Sequence, residues 1–268
     1  MKEEQKKILL TSKNATEVKR AAVAAAASDS DADIQMLGDL LATLEFLNRL
    51  DSAQDYRDTY TGLRLAQVVN TLADNRRPAT DKVLLSLIDA KDYQANFLRI
   101  QILIHALAAI RPSPPAAIIY WDKMSVGGSL VAFDVVAALV ENESAPAMSL
   151  FEKKLVDPKH DLNLKSAWLY QLVLPKRNDE PLLIACEHVL KGSAAGPEVQ
   201  IFIVEALFDY KPETWYRGCS PVKPPVRLAA TREAKDVMVS IGEYALANLK
   251  LAPDLKLKVE AALKEVRR

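Results

Sequence analysis

The chain has 268 residues, half of them hydrophobic, with only 6% aromatic residues and eight glycines. This gives enough apolar material for a large domain with an aliphatic core, and so few turn glycines argue against a strand-rich or loop-rich fold. Thirty-five basic residues balance thirty-five acidic ones, so the chain lacks the basic excess that marks a general nucleic-acid binder.

Read in chain order, the predicted elements are helices separated by short breaks. The start, "MKEEQKKILL", carries acids and too short an apolar run for a signal peptide, so the cytoplasm is the expected compartment. Long helical patterns follow from Ile34 to Asn75. Beyond them Pro78, Pro114, Pro146 and Pro181 each stand just before or inside the first turn of an apolar run. Proline suits that place, because its missing N–H would have had no partner within the helix.

Each of these first helices is followed by a polar break and a second helix. The second helices read "NFLRIQILIHALAAI", "SLVAFDVVAALVEN", "LNLKSAWLYQLVL" and "PEVQIFIVEALFDY". They align on Leu107, Leu139, Leu172 and Leu207, spaced 32, 33 and 35 residues apart. Two more amphipathic helices close the chain, the last opening at Pro253 and carrying Lys264, Arg267 and Arg268 where the helix dipole favours cations. No stretch reaches the ~18 apolar residues of a membrane span, since Asp134 interrupts the best candidate and Arg99 and Arg111 bracket the next.

A period in this range predicts an all-α fold of stacked helical hairpins, each unable to bury its apolar side alone. Neither the tetratricopeptide pattern nor the ankyrin "TPLHxA" string recurs. "LVDPKHDLNLKSAWLYQL" (Leu155 to Leu172) instead resembles the short HEAT-like repeat of the phycobilisome-lyase type. That unit is an apolar helix, an aspartate turn, and a second helix opening on a basic residue. "LIDAKDYQANFLRIQILIHAL" (Leu87 to Leu107) is similar, with Asp89 and Arg99 in the matching places, and "TEVKRAAVAAAA" (Thr16 to Ala27) resembles a second helix whose alanines allow close packing. The segment Ile34–Asn75 departs from the period, and "MSVGGS" lacks the turn aspartate. The resemblance implies a right-handed α-solenoid, a HEAT-like or armadillo-type superhelix. It would form a single domain over residues 1–268, with about six helical pairs and atypical capping units at the ends. A proline-rich inserted loop is expected at 211–227, before the last helices.

Charge is unevenly spread. From Asp29 to Asp58 eight acids face Arg49 and Arg57, a net of −6; from Lys211 onward twelve basic residues face seven acids, a net of +5. The two regions are either solvated helix faces or patches that steer partners or stack copies.

Motifs for chemistry are missing. His105, His160 and His188 show no metal-ligand spacing, and Cys186, Glu187 and His188, as neighbours on one helix, point in different directions. There is no glycine-rich phosphate loop and no "GxSxG" string. Cys186 sits in an apolar helical face and Cys219 in the proline-rich loop, so no disulfide framework is expected. No catalytic residue, metal or cofactor is predicted.

The candidate sites are therefore surfaces. On the second helices an i, i+4 stripe runs through Gln101, His105, Phe133, Glu141, Ser166, Tyr170, Glu205 and Asp209. It reads either as a partner-binding groove or as an ordinary boundary between core and solvent. Trp121 and Trp168 fall within apolar helical periods and are expected in the core. Trp215, Tyr216 and Arg217 open the stretch "WYRGCSPVKPP", whose aromatic and arginine content is that of binding hot spots. The alternative is a proline-stiffened plug between helices. The function expected is a non-enzymatic scaffold or adaptor holding a protein partner on the concave face of the repeat. The alternative is a HEAT-like enzyme or accessory factor, resembling a bilin lyase or a DNA glycosylase.

Overall fold

The computed structural model describes residues 1–51, 63–126, 128–173, 176, 179–209 and 231–267, and among them every regular element is helical. The expected loop at 211–227, with Trp215, Tyr216, Arg217 and Cys219, lies outside the described residues. The chain forms two compact units, Met1–Ala138 and Leu139–Arg268.

The N-terminal unit contains α1 (Glu3–Thr11), α2 (Ala15–Ala26), α3 (Asp31–Leu41), α4 (Leu44–Leu50), α5 (Arg64–Asn75), α6 (Pro78–Ser86), a 3-10 turn (Leu87–Asp89), α7 (Lys91–Gln94), α8 (Phe97–Leu107), α9 (Pro115–Met124) and most of α10 (Ser129–Asn142). Polar caps start several of these helices. Asn14 accepts from the backbone N–H groups of Thr16 and Glu17, and Asn96 does the same for Leu98 and Arg99. Each cap satisfies donors that the first helical turn leaves unpaired. α5 is capped from a distance, because buried Asp51 accepts from the N–H groups of Arg64 and Leu65 at 3.0 and 3.1 Å.

The alanine-rich α2 lies against α1, α3, α4 and α5, with Ala21, Ala22, Ala25 and Ala26 buried. α5 in turn packs on α6 and α8, and α3 packs on α6. The acidic run read from sequence is not one free patch. Asp33 and Asp51 are buried, and Asp31 meets Arg77 at 2.8 Å.

The C-terminal unit contains α11 (Ala145–Val156), α12 (Leu162–Trp168) with a π-helical turn (Leu169–Val173), α13 (Glu180–Lys191), α14 (Pro197–Phe208), α15 (Arg232–Asn248) and α16 (Pro253–Val266). Proline stands in the first turn of α11, α13, α14 and α16. The first helices α11, α13 and α15 are neighbours in that order. The second helices follow the same rule, with α12 and its π turn beside α14, and α14 beside α16.

Of the aligned leucines, Leu107, Leu139 and Leu207 are fully buried, as are Trp121 and Trp168, both expected in the core. Leu172 differs. It is half-buried, and Val173 takes the fully buried place. The cause is the π turn, whose wider i→i+5 bonding advances the side chains by about one residue relative to an α-helix.

Cys186 is buried on α13, where burial pushes its thiol up to about 12. The thiolate is the reactive form, so the folded chain should protect it. In a Cys219→Ser background, a thiol reagent at pH 8 should label no residue of the native protein within minutes and one residue in denaturant. Rapid native labelling would contradict the burial.

Candidate partner-binding surfaces

Most polar residues of the predicted stripe are engaged within the fold, but only Tyr170 and Glu205 bind one another. In the N-terminal unit Gln101 Nε2 donates to Asp134 Oδ2 at 2.5 Å, and His105 Nε2 lies 3.4 Å from Asp134 Oδ1. Asp134 thus joins α8 to α10. The sequence alignment had paired Gln101 with Phe133, one residue short of the true partner, and Phe133 is half-buried beside it. The available signal was Asp134 itself, a carboxylate interrupting an otherwise apolar helix 33 residues after Gln101.

In the C-terminal unit the alignment and the geometry agree. Tyr170, on the π turn, donates its hydroxyl to Glu205 Oε2 on α14 at 2.6 Å. Burial and then this hydrogen bond push the Tyr170 phenol above its ordinary range, so it stays a donor. Asp209 is buried at the end of α14 and is met by Lys258 of α16. Ser166 turns its hydroxyl back to the carbonyl of Asn163 at 2.8 Å. Glu141 is exposed near the end of α10. Gln101, His105, Tyr170, Glu205 and Asp209 therefore tie neighbouring second helices together, whereas Ser166 and Glu141 do not.

Apolar residues stand free beside this line. Phe97, in the first turn of α8, is 44% exposed; Leu130, in that of α10, is 62% exposed; Leu162, in that of α12, is 43% exposed. Phe97 and Leu130 each precede a member of the Gln101–Asp134 pair by four residues. Residues four apart share a helix face, so these two side chains lie on the same side of adjacent helices.

A second feature was not anticipated from sequence. Between α11 and α13, within the C-terminal unit, lies a cleft of about 570 Å³. Met148, Pro181 and Ile184 supply its apolar lining, and Ser149, Glu152, Glu180 and His188 its polar groups. His188 Nδ1 bonds Glu152 Oε1 at 2.9 Å across the two helices. Lys176 pairs with Glu143 at the same edge, also at 2.9 Å. The only hint in the sequence was the 36-residue offset between Glu152 and His188, which repeats the hairpin period on the first helices.

The remaining histidine, His160, lies edge-on to Trp168 with ring centroids 5.1 Å apart, and burial holds its pKa below the usual histidine value. Lys165, also buried, is pushed down by burial while Asp157 and Asp161 oppose that shift. Among the described residues no three His, Cys, Asp or Glu side chains form a group suited to a metal ion. No described helix is long and apolar enough to cross a membrane. No family model, curated protein or solved structure matches the chain.

Proposed function

We propose that the chain is a HEAT-like helical repeat, an α-solenoid, that works as a non-enzymatic scaffold and holds a protein partner on the face of its second helices. The spacing of 32 to 35 residues supports the repeat, and so does the order of neighbours in the C-terminal unit, where first helices adjoin first helices and second adjoin second. The observation that carries the binding role is the recurrence of an exposed large apolar residue at one repeat position. Phe97, Leu130 and Leu162 are spaced 33 and 32 residues apart, each in the first turn of a second helix. Single exposed apolar residues are ordinary, whereas a side-by-side pair such as Phe97 and Leu130 is the beginning of a contact patch.

The polar bonds beside them, Gln101 to Asp134 and Tyr170 to Glu205, keep the helices in register and leave the apolar groups to the partner. Charge reversal at buried Asp209 would disturb the fold itself, so the decisive variant is Phe97→Ser with Leu130→Ser. Affinity capture from the source cell should recover a stoichiometric protein, and the double variant should weaken that capture roughly 10-fold or more. Leu257→Ser, at a 64% exposed position on α16, should leave it unchanged. Equal capture by the double variant and the parent would refute the reading.

A further inference from the structure

We propose that the cleft between α11 and α13 binds an arginine side chain carried by a segment of a protein partner. The inference goes beyond the scaffold reading, because it concerns the first helices of the C-terminal unit and stands or falls without Phe97 and Leu130. Its basis is the donor and acceptor inventory of the cleft. A carboxylate oxygen only accepts, so the 2.9 Å contact between Glu152 Oε1 and His188 Nδ1 places the proton on Nδ1. In the neutral imidazole the outward nitrogen, Nε2, is then an acceptor. Glu152 retains its second oxygen, and Glu180, in the first turn of α13, has no ion-pair partner among the described residues. Ser149 adds a hydroxyl that also accepts. Glu143 is already met by Lys176 at this edge, so Glu152 and Glu180 supply the rim's open carboxylate acceptors, which stand over apolar Met148 and Ile184.

Few side chains complement both parts. Arginine has an aliphatic stem for the apolar lining and a planar head with five N–H donors and no acceptor. A volume of about 570 Å³ holds such a side chain together with a flanking aliphatic residue. An acidic or purely apolar segment would leave the rim carboxylates desolvated without a partner, which the site disfavours.

The test uses the full chain and a blocked alanine-leucine-arginine-leucine-alanine pentapeptide, titrated by calorimetry or amide NMR in low salt. A matched peptide carrying citrulline in place of arginine keeps the shape and removes the charge. The arginine peptide should bind roughly 10-fold more tightly than the citrulline peptide. Glu152→Gln and Glu180→Gln should each abolish most of that preference. Glu198→Gln, at an exposed position on α14 outside the cleft, should preserve it. All three positions are exposed or half-buried, and circular dichroism checks that each variant folds. Equal affinity for the two peptides, or no binding at millimolar concentration, would overturn the proposal. So would self-association of the free chain that Glu180→Gln removes, since a second copy would then be the occupant.

Discussion

Replacing Trp121 with alanine should destabilise the protein by about 3 to 5 kcal/mol, and replacing it with phenylalanine should still cost roughly 1 to 3 kcal/mol. The first figure reflects volume, because Trp121 is fully buried on α9 and alanine leaves a cavity that the surrounding helices fill only in part. The second reflects one hydrogen bond. The last four carbonyls of a helix have no partner within it, and in α8 these are Ile104, His105, Ala106 and Leu107. The N–H groups of Ala108, Ala109 and Ile110 turn back onto the last three in a 3-10 pattern. Trp121 Nε1 donates to the first, the Ile104 carbonyl, at 3.2 Å. The indole therefore caps α8 from outside. Trp168 is as deeply buried, yet its Nε1 has no hydrogen-bond partner among the described residues. Phenylalanine there removes an unpaired polar group, so Trp168→Phe should cost clearly less than Trp121→Phe. Urea unfolding of the three variants measures the difference, and equal costs for the two phenylalanine variants would refute the capping argument.

Gly38→Ala should destabilise the protein by about 1 to 3 kcal/mol through overpacking, although alanine is the better helix former by about 1 kcal/mol. The opposing term is contact. A Cβ on Gly38 would lie 2.6 Å from Val83 Cγ2 and 3.0 Å from Val83 Cγ1, where α3 meets α6. Valine is branched at Cβ and stiff, so it has little room to give. The same substitution at Gly242 of α15 meets Leu263 Cδ2 at 2.7 Å, but that atom ends a longer side chain, so the cost should be smaller. A double-mutant cycle settles the cause. In a Val83→Ala background the clash is gone, and Gly38→Ala should become stabilising by roughly 0.5 to 1 kcal/mol. A penalty that persists in that background would show that the crowding lies elsewhere.

The helices themselves were open to reading because their signals are local. Prolines mark the starts of first helices, and apolar spacing marks the second helices within one to three residues of where they lie. Trp121, Trp168 and Cys186 could be assigned to the interior because each falls on the apolar side of such a period. Pairing between helices depends on something else, the exact angular position of each residue. Tyr170 and Glu205 were aligned correctly, while Gln101 was set against Phe133 when its partner is Asp134. One residue turns a side chain by about 100°, so an alignment that locates a helix well can still choose the wrong neighbour. The cleft was hidden for a related reason. Glu152 and His188 lie on first helices, where buried Leu155 and Leu190 repeat 35 residues apart and would set Glu152 against Glu187, again one residue short of the true partner.

The π turn at Leu169–Val173 bears on how such a chain tolerates change. An added residue in a helix usually rotates everything after it out of phase, and the damage extends to the end of the element. Here the extra residue is absorbed within a single widened turn, with Trp168 before it and Val173 after it both still directed inward. A turn of this kind gives a packed helix, and not only a surface loop, a place to take up one more residue. A hairpin can lengthen by one residue in the middle of a packed helix, keep its hydrophobic side facing its neighbours, and leave only a small irregularity in an otherwise regular spacing as the mark of the event.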